Sequence, residues 1–216
     1  VASALSFAAD EGDSAYALDL LEGASDIDSN ASLSVQSLKI NDVTYDESNP
    51  PAGLLLDGTS FNVDLSSAAF DSLGVGQSAT YTLTYQVRDD RGATVNQTQT
   101  ITITGTNDIP TISSIAAGAI ADASYLPDLG AVIGLIGQLD AQDADANAEL
   151  SFSLANADST NLSFDDPEIS GLTYDISKVG DYGTVYLNSA TGQYRYIPDT
   201  TKVDNLRLNE IRTESF

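Results

Sequence analysis

The sequence predicts an all-β chain built as two tandem immunoglobulin-like Greek-key β-sandwiches, the second incomplete, lacking its last strands. Three observations predict this. Apolar side chains recur with period two in short runs. Turn-forming clusters separate those runs at intervals of roughly 8 to 12 residues. The pattern D-x-D-x-N-x-x-L-S-(apolar) occurs twice, at Asp26 to Val35 and, 117 residues later without a gap, at Asp143 to Phe152.

The elements follow in order. Strands are expected at Tyr16–Leu21, Leu33–Ile40 and Phe61–Leu65, each alternating large apolar with small or polar residues. One helical turn is expected at Ser66–Asp71, the only helix the pattern suggests. Tyr81 to Val87 places Tyr81, Leu83, Tyr85 and Val87 on one face and Thr82, Thr84 and Gln86 on the other. After a turn at Asp89-Asp90-Arg91-Gly92 the rhythm resumes through Val95, Ile101 and Ile103, with Thr94, Thr98, Thr100, Thr102 and Thr104 facing outward, so the pair is a hairpin. Gly105-Thr106-Asn107-Asp108-Ile109-Pro110 interrupts the strand pattern and sets a boundary between domains 1–107 and 108–216. In the second copy, strands are expected at Leu150–Leu154, Thr184–Leu187 and Gln193–Ile197. A second anchor, Asp71-Ser72-Leu73 before Thr80 to Leu83, reappears as Asp204-Asn205-Leu206 before Thr213 to Phe216, 133 residues later, so the second copy is about 16 residues longer in its middle. Counted from that anchor, Phe216 matches Leu83, and nothing matches Thr84 to Thr104. The expectation is a split domain whose closing strands come from further sequence.

Composition narrows the chemistry. Thirty-two acidic residues against eight basic ones give a net charge of −24. That disfavours nucleic acid and anionic membrane surfaces, which are bound by cationic side chains. The chain has no Cys, His, Met or Trp. Disulfides, thiol and imidazole catalysis and ordinary zinc sites are therefore closed to it. The longest apolar candidate, Ala131 to Gly137, falls far short of the roughly 18 to 20 residues that cross a bilayer, so no membrane insertion is expected. Val1-Ala2-Ser3 shows no basic head or apolar signal core, which reads as an excerpt of something longer. With 42% apolar residues gathered in alternating runs, the chain is expected to fold despite its charge.

What remains for strong coordination is oxygen, and loop parity gathers it. Successive loops of a sandwich alternate between its two ends. The loop with Glu11 and Asp13 then shares the trailing end of the first sandwich with the linker residues Asn107 and Asp108, and faces Asp143 and Asp145. The loop with Asp26 and Asp28 shares the leading end with Asp89 and Asp90. Carboxylates gathered without Lys or Arg repel strongly, and a hard divalent cation relieves that. Calcium takes six to eight oxygen ligands in forgiving geometry; magnesium demands a tighter octahedron. The expected ligands are thus Glu11, Asp13, Asn107, Asp108, Asp143 and Asp145, with Asp26, Asp28, Asp89 and Asp90 as a second cluster. Duplication of the motif beside an Asn-Asp-x-Pro linker separates it from a lone Asp-x-Asp, which is ordinarily a turn former. Asp89-Asp90-x-Gly92 alone reads as a plain hairpin turn. The Thr row suits a solvent-facing strand, since one strand makes no flat array. Tyr182, Tyr186, Tyr194 and Tyr196 suit half-core strand positions. No nucleophile elbow, phosphate loop or zinc motif is present, and no enzyme is expected.

The residues then carry a resemblance. Phe61-Asn62-Val63-Asp64, Ala68 to Thr80, Val87-Arg88-Asp89-Asp90-Arg91-Gly92-Ala93 and the close at Ile103 to Asp108 resemble the VCBS repeat of giant bacterial surface adhesins of the RTX type. Tyr182 to Asn188 and Gly192 to Pro198 resemble it in the second copy. The resemblance implies cadherin-like sandwiches, and Asn107-Asp108-x-Pro110 with Asp143 and Asp145 is similar to cadherin interdomain calcium sites. It further implies a type I-secreted extracellular protein of the bacterial cell surface, rigidified by Ca2+ and projecting ligand-binding modules for cell adhesion and biofilm formation. Its implied partners are neighbouring domains of the same chain, with a glycan or protein ligand held through adjacent modules. The alternative is a glycan- or protein-binding module whose surface lies on the longer middle of the second copy, Asn156–Tyr182.

Overall fold

The computed structural model describes residues 5–28, 31–120, 125–126, 131–132, 134–166 and 169–216. Ser29 and Asn30 of the first motif copy, and Val1 to Ser3, lie outside the described residues. The described chain is nearly all β, with a single short helix among the described residues. It divides into two compact units. Unit 1 comprises residues 1–109 together with 143–148, and unit 2 comprises 110–142 and 149–216.

Unit 1 contains β1 (Leu5–Asp10), β2 (Tyr16–Asp19), β3 (Leu33–Ile40), β4 (Val43–Thr44), β5 (Leu54–Asp57), β6 (Ser60–Val63), β7 (Ser78–Asp89) and β8 (Thr94–Thr104). They form a five-stranded sheet in the order β1-β8-β7-β3-β4 and a three-stranded sheet in the order β2-β6-β5. Every pairing is antiparallel except β1 with β8, which run parallel from Leu5 beside Gln99 to Asp10 beside Thr104. The period-two pattern explains the layers: Leu18, Leu54, Phe61, Val63, Leu83, Tyr85, Val87, Ile101 and Ile103 bury one face of each strand in a common core. Tyr85 satisfies its hydroxyl by donating to the Leu20 carbonyl at 2.9 Å, and burial pushes that phenol up to about 12. Asn41 and Asp42, both at positive φ, form the two-residue turn between β3 and β4, as a hairpin of primed type requires.

The long β7/β8 hairpin has the expected alternation at Ile101 and Ile103, but Val95, near its tip, is exposed, and Gln99 is buried in line with the two isoleucines. Thr80, Thr82 and Thr84 pair across the ladder with Thr102, Thr100 and Thr98, so the threonine face is two strands wide rather than one.

The segment Ser66–Asp71 is not helical. Ser66 donates to the Asp64 carboxylate from both its amide and its hydroxyl, and successive i to i+3 bonds, Ser67 to Asp64, Phe70 to Ser67 and Leu73 to Phe70, make a chain of turns. Complete burial of Phe70 holds that path, overriding weak local helical preference.

Unit 2 contains β9 (Thr111–Ile112), β10 (Tyr125–Leu126), β11 (Ala131–Val132), β12 (Leu135–Gln138), β13 (Ala141–Gln142), β14 (Phe164–Asp165), β15 (Thr173–Tyr174), β16 (Ile176–Val179), β17 (Gly183–Leu187), β18 (Gln193–Pro198) and α1 (Thr200–Asp204). Its main sheet runs β12-β18-β17-β16, all antiparallel, and β9/β13, β10/β11 and β14/β15 are two-stranded pairs. The expected strand Leu150–Leu154 is absent. Its side chains still alternate in exposure, but the backbone makes one bond, Phe152 N–H to the Ser189 carbonyl at 2.8 Å, while the Phe152 ring covers Gly192. Apolar packing holds this segment without a ladder. Thr213 to Phe216, the counterpart of the start of β7, forms no strand.

Among the described residues of unit 2, the buried apolar side chains are Tyr174, Ile176, Val185 and Leu187. Beside them an Arg195–Asp166 ion pair lies almost wholly buried, Nη1 at 3.2 Å from Oδ1, with the Tyr174 hydroxyl donating to Oδ2 at 2.8 Å. Burial and the Asp166 carboxylate raise the Tyr174 phenol.

Candidate metal centre

The carboxylates that converge do so at one end of unit 1. Because β1 and β8 are parallel, both finish there, and β7 begins there opposite the end of β8. Glu11 follows β1 and is buried. Its N–H donates to the Thr104 carbonyl at 2.8 Å, and its Oε2 accepts from the Thr106 N–H at 3.3 Å. Asp108 follows β8, four residues beyond its end. Asp71 lies in the connection from β6 to β7, which closes against the segment just past β8: a Cβ at Gly105 would lie 1.8 Å from the Leu73 carbonyl oxygen, so only glycine fits.

The fourth component is the segment 143–148. The Ala146 N–H donates to the Ser72 carbonyl at 3.1 Å, and Asp145 Oδ2 accepts from the Asp108 N–H at 3.0 Å. Asp143 Oδ1 accepts from the Asp145 N–H at 2.9 Å, shaping the loop as an Asx turn. A short-range aspartate pair therefore does two jobs: one member folds its own loop and the other reaches the linker.

Three oxygens in this group, Glu11 Oε1, Asp108 Oδ2 and Asp145 Oδ1, are buried and have no hydrogen-bond partner. An acceptor in that state is costly, and an anionic one more so. Burial pushes the Glu11 carboxyl up, the Thr106 N–H opposes that, and Asp108, Asp71 and Asp145 push it further up. Burial likewise raises the Asp108 carboxyl, followed by Asp145, Asp71 and Asp143. Among the described residues no Lys or Arg pairs with any of these groups. Nor, among the described residues, is any group of three or more acidic side chains arranged to hold a metal ion as the side chains stand. The donor set is all hard oxygen with orphaned lone pairs, which fits calcium chemically; enclosing an ion requires the side chains to draw in.

The expected ligands separate. Glu11, Asp108, Asp143 and Asp145 belong to this electrostatic cluster. Asn107 is adjacent, its side-chain amide donating to the Asp108 carbonyl. Asp13 is exposed and turns back on its own loop, accepting from the Asp10 N–H at 3.2 Å. In the second cluster, Asp26 accepts from the Asp28 N–H at 2.7 Å, Asp28 pairs with the Arg91 guanidinium, and Asp89 accepts from the N–H groups of Arg91 and Ala93 at 2.9 and 2.7 Å. Asp90 is exposed. Asp26, Asp28 and Asp89 are served by protein donors and Asp90 by solvent, so the need for an ion is weaker there. Asp71 is the group missed in the sequence. The parity count that placed Glu11 and Asn107 together also places the β6–β7 connection at that end, and Asp71 opens the Asp-x-Leu anchor shared by the two copies.

No family model matches the chain, and no curated protein sequence matches it.

Proposed function

We propose that this chain is a calcium-stiffened extender segment of a secreted bacterial surface adhesin, holding ligand-binding modules away from the cell. One observation carries the reading: Glu11, Asp71, Asp108, Asp143 and Asp145 form one like-charged cluster, and three of its oxygens are buried and orphaned. A divalent cation there neutralises the repulsion and ties together the ends of β1 and β8, the β6–β7 connection and the segment 143–148. The chain passes between the units at 109/110, 142/143 and 148/149. Fixing 143–148 on unit 1 therefore adds restraint to the first of these joints, and a tether becomes a spacer. Extracellular placement, type I export and the adhesive role rest on the resemblance of the 61–108 motifs to adhesin repeats.

At a free calcium concentration a hundred times the dissociation constant, binding stabilises unit 1 by about 2.7 kcal/mol. Small-angle scattering of the full chain with calcium and with chelator tests the reading, alongside calorimetric titration of calcium. The expected result is heat of binding and a longer maximum dimension with the ion; an unchanged dimension and no heat overturn it.

A second reading, a glycan- or protein-binding module, has one observation in its favour. Phe164, in the longer middle of the second copy, stacks on Tyr186 of β17 with ring centroids 4.2 Å apart and planes 15° apart, both residues partly exposed, which is the kind of surface a sugar face packs on. Glycan-array binding abolished by Phe164→Ala selects this reading.

A further inference from the structure

From the parallel pairing of β1 with β8, we infer that unit 1 is a force-bearing link that resists stretching in shear, with these two strands as its mechanical clamp. This rests on the extender reading for the origin of the load. The clamp itself follows from geometry within unit 1 and needs no ion.

Every other neighbouring pair in the unit is antiparallel. Pulling apart the adjacent ends of an antiparallel hairpin loads one rung at a time, so the ladder peels. In β1 and β8 the register runs Leu5 beside Gln99 through Phe7 beside Ile101 to Asp10 beside Thr104. The chain that precedes β1 leaves at the Gln99 end, and the chain that follows β8 leaves at the Thr104 end. Tension along the chain therefore draws the two strands along their length in opposite directions, and all rungs are loaded together. Unfolding under force follows the barrier to the first rupture, so simultaneous loading raises resistance even at equal thermodynamic stability.

Three further features extend the clamp. The Glu11 N–H donates to the Thr104 carbonyl at 2.8 Å, adding a rung past the end of β1. The Thr106 N–H reaches back to Glu11 Oε2, crossing between the same two strand ends. On the inner face Phe7 and Ala9 pack on the core, and Phe7 stacks on Tyr16 with centroids 4.3 Å apart, so sliding β1 by two residues strips apolar contacts along with the ladder.

The absence of cysteine makes the test clean, because handles attach only where thiols are placed. Ser6, Ser78 and Ile109 are all exposed. Full-length S6C/I109C takes the load across β1 and β8 in shear, whereas full-length S78C/I109C takes it at the open end of the β7/β8 hairpin, beside the Ser78–Thr104 pair, and peels β8 away. Both are pulled in chelator by single-molecule force spectroscopy at one loading rate, after near-ultraviolet circular dichroism matches the parent. The expected result is a rupture force several-fold higher for S6C/I109C. Equal forces, or a lower force in shear, overturn the inference. Repeating S6C/I109C in calcium addresses the ion separately: a further rise supports the cation site, and no rise counts against that site while the ratio in chelator still decides the clamp.

Discussion

Replacing Glu11 by Gln should stabilise the protein without calcium and destabilise it with calcium. Glu11→Gln keeps the shape and the acceptor that the Thr106 N–H uses, removes one charge from the cluster, and supplies an NH2 donor beside Asp108 and Asp145, whose buried oxygens lack partners. One gained hydrogen bond to a buried carboxylate contributes about 1 kcal/mol. For a unit of this size that is roughly a 4 °C rise in Tm in chelator. In the parent, calcium at a hundred times Kd adds about 2.7 kcal/mol, close to 10 °C. If loss of a carboxylate ligand weakens binding on the order of 100-fold, the same calcium adds only about 0.4 kcal/mol. The two stability rankings must cross, parent below variant in chelator and above it in calcium. Differential scanning calorimetry of both proteins in both buffers measures this. A variant less stable than the parent in chelator, or one that keeps the full calcium shift, refutes the argument.

Other expectations follow from the same structure. In chelator, unit 1 should gain stability as pH falls from neutral toward the ordinary carboxylate range: Glu11 and Asp108 are held above their ordinary values, so the fold takes up protons more readily than the unfolded chain, and the benefit is complete below that range. Asp46, held low by Ser48, and Asp175, whose burial is outweighed by the donors of Ser189, act in the opposite sense only at lower pH. Calcium should abolish or reverse that gain, read by thermal melts at each pH. Gly105→Ala drives a methyl into the Leu73 carbonyl, so it should cost about 2 kcal/mol or more in urea unfolding and weaken calcium binding with it. Asp166→Ala removes the buried acceptor shared by the Arg195 guanidinium and the Tyr174 hydroxyl, and should cost about 3–5 kcal/mol by chemical denaturation, whereas Asp28→Ala, at an exposed ion pair, should cost under about 1 kcal/mol.

Much of unit 1 was legible because its chemistry is local. Leu33–Ile40 matches the expected strand residue for residue, and the alternation in Tyr81 to Val87 gives the buried face of β7 directly. Ser66–Asp71 misled because a short run of Ser and Ala resembles a helical turn, while its path is set by Asp64 and by Phe70 in a core that only the folded chain reveals. Leu150–Leu154 misled differently: its side chains alternate, but no neighbouring strand pairs with it along the ladder, and a pattern of faces carries no information about partners. The carboxylate cluster was half legible. Parity brings loops to the same end, so Glu11, Asp108 and Asp145 were within reach, yet it says nothing of which way a side chain turns, and Asp13 and Asp28 turn to an Asp10 amide and to Arg91. Asp71 needed only the same count carried one loop further. The Arg195–Asp166 pair leaves no local trace, its members standing 29 residues apart with no shared motif.

The membership of residues 143–148 in unit 1 has a consequence for how the chain can be divided. Cutting the gene at the linker would give a fragment ending near Ile109 in which the Asp108 amide and the Ser72 carbonyl lose their counterparts, and a second fragment carrying an acidic loop with nothing to dock on. The two modules are not interchangeable beads, because the first borrows a loop from the chain of the second. A unit 1 cut free at the linker should therefore be less stable than the same unit in the full chain, and supplying 143–148 should restore it.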